Sequence, residues 1–119
     1  MGQRILCIDD EKGWREVLEM TLKDAGYHVM TAADATEAMA KADQFRPQLL
    51  IVDLNLAGEN GLIFMRFMKE NNPDVKVMIY TGMEEDGETI MKTLESGVHS
   101  YLRKGPPADL LREVERIMH

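Results

Sequence analysis

Leu49-Leu50-Ile51-Val52-Asp53 is the stretch on which the fold turns: four apolar residues in a row, closed by a carboxylate. The run is too short for a helix and lacks the alternation of a half-exposed strand. It reads as a strand covered on both faces, the pattern of a parallel sheet with helices above and below it. Val75 to Tyr80, with Val77-Met78-Ile79 inside it, reads the same way, and these two segments are expected at the centre of the sheet. Further β-rich runs stand at Arg4 to Ile8, His28 to Thr31 and Ser100 to Leu102.

Stretches of helical spacing lie between and after these runs. In the first, Trp14, Val17, Leu18, Thr21, Leu22 and Ala25 recur at three and four residues, and Gly26 follows as a stop. The second opens on Asp34 with Glu37 three positions on, a variant of the capping box, and places Ala35, Ala38, Met39 and Ala42 on one face for close packing. The third runs from about Asn60 to Asn71 with Leu62, Met65 and Met68 as its stripe, and Pro73 closes it. The fourth, near Gly87 to Ser96, has a thin apolar stripe of Ile90, Met91 and Leu94 and modest packing area. The last begins at Pro106-Pro107 and carries Leu110, Leu111, Val114, Ile117 and Met118. Five strands each followed by a helix imply right-handed parallel crossovers, hence a doubly wound α/β fold with helices on both faces.

Length and composition narrow the class. A chain of 119 residues fits a single domain spanning 1–119. With 45% apolar and 29% charged residues it matches a globular protein, and no apolar run approaches the roughly 20 residues that cross a bilayer. Met1 to Leu6 shows no signal-peptide pattern and Leu6 stands where an N-myristoylation motif takes Ser or Thr, so a cytoplasmic location is the expectation. The formal net charge of -7 argues against direct binding of nucleic acid and for a protein partner or a cation. Cys7, the single cysteine, sits in an apolar run and reads as a buried, inert thiol. Most of the ten methionines are expected to fill core gaps.

In doubly wound sheets functional groups collect beyond the carboxyl ends of the strands. The first strand here ends in Asp9-Asp10-Glu11, the third in Asp53 and the fourth in Thr81, and the fifth leads to Lys104. Each has a plain alternative: Asp-Asp-Glu as a helix cap with acidic first-turn residues, Asp53 and Thr81-Gly82 as turn chemistry, Lys104 as a solvated charge. Turn chemistry does not require all four to fall at equivalent points of successive units. Carboxylates converging at one edge would repel unless a hard cation neutralised them, and oxygen-only ligands favour Mg2+ or Mn2+ over zinc.

From Ile5-Leu6-Cys7-Ile8-Asp9-Asp10-Glu11, through Leu50-Ile51-Val52-Asp53-Leu54-Asn55-Leu56 and Ile79-Tyr80-Thr81-Gly82, to Gly97-Val98-His99-Ser100-Tyr101-Leu102-Arg103-Lys104, the chain resembles the receiver domains of two-component response regulators. Each motif is weak alone; in this order and spacing they are specific, and they cover nearly the whole chain. The resemblance implies a five-stranded parallel sheet in the flavodoxin-like order 2-1-3-4-5, flanked by five helices. It implies phosphorelay signalling, in which Asp53 accepts a phosphoryl group from a sensor histidine kinase or phosphotransfer protein. It further implies Asp10 and Asp53 as direct ligands of Mg2+ or Mn2+, the backbone carbonyl of Asn55 as another, and Asp9 acting through water. Thr81 matches the hydroxyl that bonds a phosphoryl oxygen, Lys104 the pairing lysine, and Tyr101 the aromatic switch. The surface formed by the fourth helix, fifth strand and fifth helix is then the expected face for a homodimer, an output domain or an output protein. Such a module catalyses its own phosphorylation and dephosphorylation and is not a multiple-turnover enzyme on an external substrate.

The chain departs from the family pattern in three places. Ala57-Gly58 follows the phosphoacceptor where a proline before glycine is common, and Gly82 stands where alanine is common. After Lys104 the family has a proline joined by a cis peptide, whereas here Gly105 precedes Pro106-Pro107. A cis bond before glycine would cost about 3 kcal/mol, so either that peptide is trans or the strain is retained. His99, beside the fifth strand, is expected to be simply exposed.

Three rival readings stand beside this one. A degenerate receiver working only as an interaction module would not need the full set Asp9, Asp10, Asp53, Thr81 and Lys104. A phosphatase with an aspartyl nucleophile needs a second acid two residues on, and position 55 is Asn. A flavodoxin-type binder would show a Gly-, Ser- or Thr-rich loop after the first strand, which is lacking here.

Overall fold

The computed structural model describes residues 2–54, 61–82, 87–95 and 97–119. Among them run β1 (Arg4–Ile8), α1 (Lys12–Asp24), β2 (His28–Ala32), α2 (Ala35–Phe45), β3 (Leu49–Val52), α3 (Gly61–Asn71), β4 (Lys76–Thr81), α4 (Gly87–Glu95), β5 (Ser100–Arg103) and α5 (Pro107–Met118). The strands form one parallel sheet in the order β2-β1-β3-β4-β5, as expected. Asn60 and Ser96, at the expected ends of the third and fourth helices, lie outside the described residues. One boundary moves with consequence: β4 runs one residue further than the sequence suggests, so Thr81 is its last member, in register with Arg103.

The unbroken apolar runs follow from the two-faced burial of the sheet. Leu6, Ile8, Leu50, Val52, Val77 and Ile79 pack beneath α2 and α3, against Ala35, Ala38, Ala42, Phe64, Met65 and Met68. The alternate residues Ile5, Cys7, Leu49, Ile51, Met78 and Tyr80 pack on the other face, against Leu18 and Leu22 of α1 and Leu110 and Val114 of α5. With a period of two, a central strand such as β3 must be apolar at every position to serve both layers. Cys7 is fully buried, and burial, then the nearby Asp9 and Glu19 charges, push its thiol pKa far up, which keeps it unreactive.

One core expectation needs correction. Met39 does not share the buried face of Ala35, Ala38 and Ala42; it is 36% exposed, on the rim of a surface groove with Phe67. Most of the described methionines do fill the core, as expected: Met65, Met68, Met78 and Met118 are buried and Met30 packs against the core, while Met20 and Met91 are more than half exposed. Straight-chain methionine suits a solvated helix as well as a core.

Helix α2 shows how local sequence sets a boundary. Asp34 accepts from the Glu37 amide at 2.8 Å, and the Glu37 carboxylate in turn accepts from the Ala33 amide at 3.0 Å, one residue earlier than the capping box prescribes. At the other end Arg46 takes a left-handed conformation (φ 51) and Pro47 follows, so the helix cannot continue.

Candidate functional site

The carboxyl ends of β1, β3, β4 and β5 bring Asp9, Asp10, Asp53, Thr81 and Lys104 to one rim of the sheet. Parallel pairing sets Ile8 beside Val52 and Thr81 beside Arg103, so the residues just beyond the strands converge. Thr81 Oγ1 donates to Asp53 Oδ1 at 2.9 Å, and Lys104 Nζ donates to Asp53 Oδ2 at 2.8 Å. Lys104 Nζ also lies 2.6 Å from Asp9 Oδ2 in a buried ion pair. These groups are nearly excluded from solvent: side-chain exposure is 6% for Lys104, 1% for Asp9 and 4% for Asp53.

Two buried acids this close to one ammonium shape its acid-base behaviour. Burial works to lower the Lys104 pKa, but the bonds to Asp53 and Asp9 outweigh it and the net shift is upward, holding the charge. For Asp9 burial dominates and raises the pKa, against the opposing pull of Lys104 and of the Glu11 amide. That amide donates to Asp9 Oδ1 at 2.9 Å, and Arg15 Nη1 donates to the Asp9 carbonyl at 2.8 Å. Asp9 is thus held at the mouth of α1 but does not cap it; Glu11 is the N-cap residue and makes no side-chain cap bond. The capping alternative for Asp-Asp-Glu is not realised.

The donor set fits a hard divalent cation. One carboxylate oxygen from each of Asp9, Asp10 and Asp53 lies within 4.8 Å of the others. Asp10 Oδ1 is buried and, among the described residues, without a hydrogen-bond partner, an expensive condition that a cation would relieve. Asn55, whose carbonyl is an expected further ligand, lies outside the described residues, as do Ala57 and Gly58.

Tyr101 is the second residue of β5, in register with Ile79, and its half-buried ring packs against the α2/α3 side of the core.

The surroundings of Lys104 include residues that strand-end reading does not reach. The Lys104 amide bonds the Thr81 carbonyl at 2.9 Å, and no peptide among the described residues is cis, so Lys104-Gly105 is trans. The Trp14 ring lies with its centroid 5.0 Å from Lys104 Nζ and meets the Tyr80 ring edge-on at 5.8 Å. The Tyr80 hydroxyl donates to the Gly105 carbonyl and accepts from the Gly105 amide, both at 3.2 Å. At the other end of β4, His99 is exposed, but its ring does more than face water: Nδ1 accepts from the Val77 amide at 3.1 Å.

Comparison with known proteins agrees with this geometry. A family model described as the response regulator receiver domain matches residues 5–115. The DNA-binding response regulator MtrA of Mycobacterium tuberculosis is 30% identical over 115 residues, covering 96% of this chain and 50% of that protein. The oxygen regulatory protein NreC of Staphylococcus epidermidis is 42% identical over 84 residues, 70% of this chain and 38% of that protein. Among solved structures the Vibrio cholerae chemotaxis protein CheY4 superposes with a TM-score of 0.90 at 30% identity, covering 98% of each chain. The chain belongs to the receiver domain family of two-component response regulators, signalling modules that receive phosphoryl groups from histidine kinases. It spans about half the length of the curated relatives it matches, or less. No described helix is long and apolar enough to cross a membrane.

Proposed function

We propose that this chain accepts a phosphoryl group on Asp53 from the phosphohistidine of a sensor kinase or phosphotransfer protein, with the help of Mg2+ or Mn2+. The observation that carries the reading is the convergence of Lys104 and Thr81 on the two oxygens of Asp53, beside two further carboxylates. A carboxylate attacking a phosphoryl group brings like charges together, so a competent site must supply positive charge where negative charge accumulates. Asp10 and Asp53, with the Asn55 carbonyl, would hold the cation directly and Asp9 would act through water; when bound, it supplies charge against the phosphoryl oxygens.

The chain's own groups do the rest. An Asp53 oxygen attacks phosphorus as the bond from phosphorus to the donor nitrogen breaks, and the electron pair leaves with the imidazole. A carboxylate nucleophile has no proton to surrender, so no general base is needed. Lys104 and Thr81 move their donors from the Asp53 oxygens to those of the phosphoryl group, which orients it and spreads its charge. Hydrolysis of the acyl phosphate resets the site.

Output follows from the same transfer of Thr81. Drawn to the phosphoryl group, it leaves space toward which the Tyr101 ring turns, and the surface of α4, β5 and α5 changes its fit for an output domain, an output protein or a second copy. That a relative twice this length is named a DNA-binding regulator supports a separate output unit as the reader of this face.

The test is incubation with phosphoramidate and Mg2+, followed by intact mass. One added phosphoryl group is expected on the native chain, none on Asp53→Asn and little on Asp10→Asn. An unmodified native chain would sink the reading.

A further inference from the structure

Lys104 is a long, flexible side chain followed by glycine, the residue that restrains a backbone least. Its ammonium is nonetheless placed against two carboxylates, so the restraint must come from elsewhere. The Tyr80 hydroxyl spans both peptide groups of Gly105, accepting from its amide and donating to its carbonyl. Tyr80 is itself 2% exposed and locked in the α1/α5 side of the core, so the hydroxyl is a fixed point. Trp14 meets Tyr80 edge-on and covers the Lys104 ammonium with its ring face, while the ammonium contacts the carboxylates of Asp9 and Asp53.

We infer that Tyr80 and Trp14 are positioning residues for Lys104: the Tyr80 hydroxyl fixes the Lys104-Gly105 junction, and the Trp14 ring aims the ammonium at Asp53. This rests on the reading that Lys104 meets the transferring phosphoryl group. The pair does for a glycine-followed lysine what a rigid residue after it would otherwise do. Neither touches the reacting atoms, so their effect must pass entirely through Lys104.

That requirement makes the inference testable. Tyr80→Phe keeps the buried ring and removes only the hydroxyl. It is expected to lower the maximal rate of phosphorylation by phosphoramidate about fivefold, the worth of one neutral hydrogen bond. The half-saturating donor and Mg2+ concentrations should stay as in the native chain. In a Lys104→Gln background the same substitution should cost nothing further. A native rate in Tyr80→Phe, or an equal loss in both backgrounds, overturns the inference. A second readout is independent of turnover. The Lys104 Hε resonances should be shifted upfield by the Trp14 ring and should move toward exposed-lysine values in both Tyr80→Phe and Trp14→Leu. Resonances unmoved in Tyr80→Phe overturn it too. A native chain that takes no phosphoryl group at Asp53 would instead sink the phosphoacceptor reading, while the resonance shifts still report whether the clasp holds Lys104.

Discussion

Replacing Lys104 by methionine removes the ammonium from between Asp9 and Asp53 while keeping a side chain of similar length. In the native structure Nζ stands 2.6 Å from one carboxylate and 2.8 Å from the other, and all three side chains are at most 6% exposed. At an effective dielectric of about 20 each contact is worth roughly 6 kcal/mol of gross attraction, most of it offset by desolvation of the ions. What the substitution exposes is that offset: two buried acids left without their counter-ion, a change that typically costs about 3–5 kcal/mol. The site lies at the rim of the sheet, so about 3 kcal/mol is expected, a large share of the 5–15 kcal/mol that holds an ordinary domain. Urea unfolding at pH 7 in EDTA, followed by circular dichroism, should show a lower midpoint with an unchanged slope, and melting should fall by about 10 °C. Adding Asp53→Asn to the variant should recover part of the loss, because one of the stranded charges goes. A loss below about 1 kcal/mol, or no recovery in the double variant, would refute the account of Lys104 as the counter-charge of the site.

Two further outcomes follow from single contacts. A methyl group at position 82 would meet the Lys104 stem at an ordinary 3.8 Å with no left-handed backbone to strain, so Gly82→Ala should stabilise by about 0.5–1 kcal/mol; a lower melting temperature would contradict this. Burial, and then the nearby Lys69 and Lys76 charges, hold the His99 pKa below its ordinary 6.5. The unfolded chain therefore takes up this proton first, and the contribution present above pH 6.5 is lost as pH falls from there through the folded value. Melting temperatures measured from pH 8 to pH 5 should fall more steeply for the native chain than for His99→Gln, and parallel curves would show that the bond to Val77 carries no pH dependence.

The parts of the fold and site that were legible in the sequence are those repeated at one point of each strand-helix unit. Asp9, Asp10, Asp53 and Lys104 follow strands, and Thr81 ends one, so recognising the strands was enough to bring them together. Burial of the apolar runs was legible for the same reason, since a strand covered on both faces has no polar positions to show. What escaped depended on which element lies beside which. Met39 has the spacing of Ala38 and Ala42, and only the placement of α3 decides that it stays at the surface. The acceptor role of His99 toward Val77 depends on the register of β5 against β4. Tyr80 looks like an ordinary core residue, and it is, with Trp14 half-buried against it; the one polar atom of Tyr80 acquires meaning only when the turn at Gly105 folds over it.

Trp14 is the only tryptophan in the chain, and its indole lies against the ammonium that balances the acidic rim. Its fluorescence is therefore a built-in optical probe of that balance, unmixed with signal from any other indole. Emission that changed on titration with Mg2+, and again on adding a phosphodonor, would let the occupancy of the rim be followed in real time without a label or a radioactive donor.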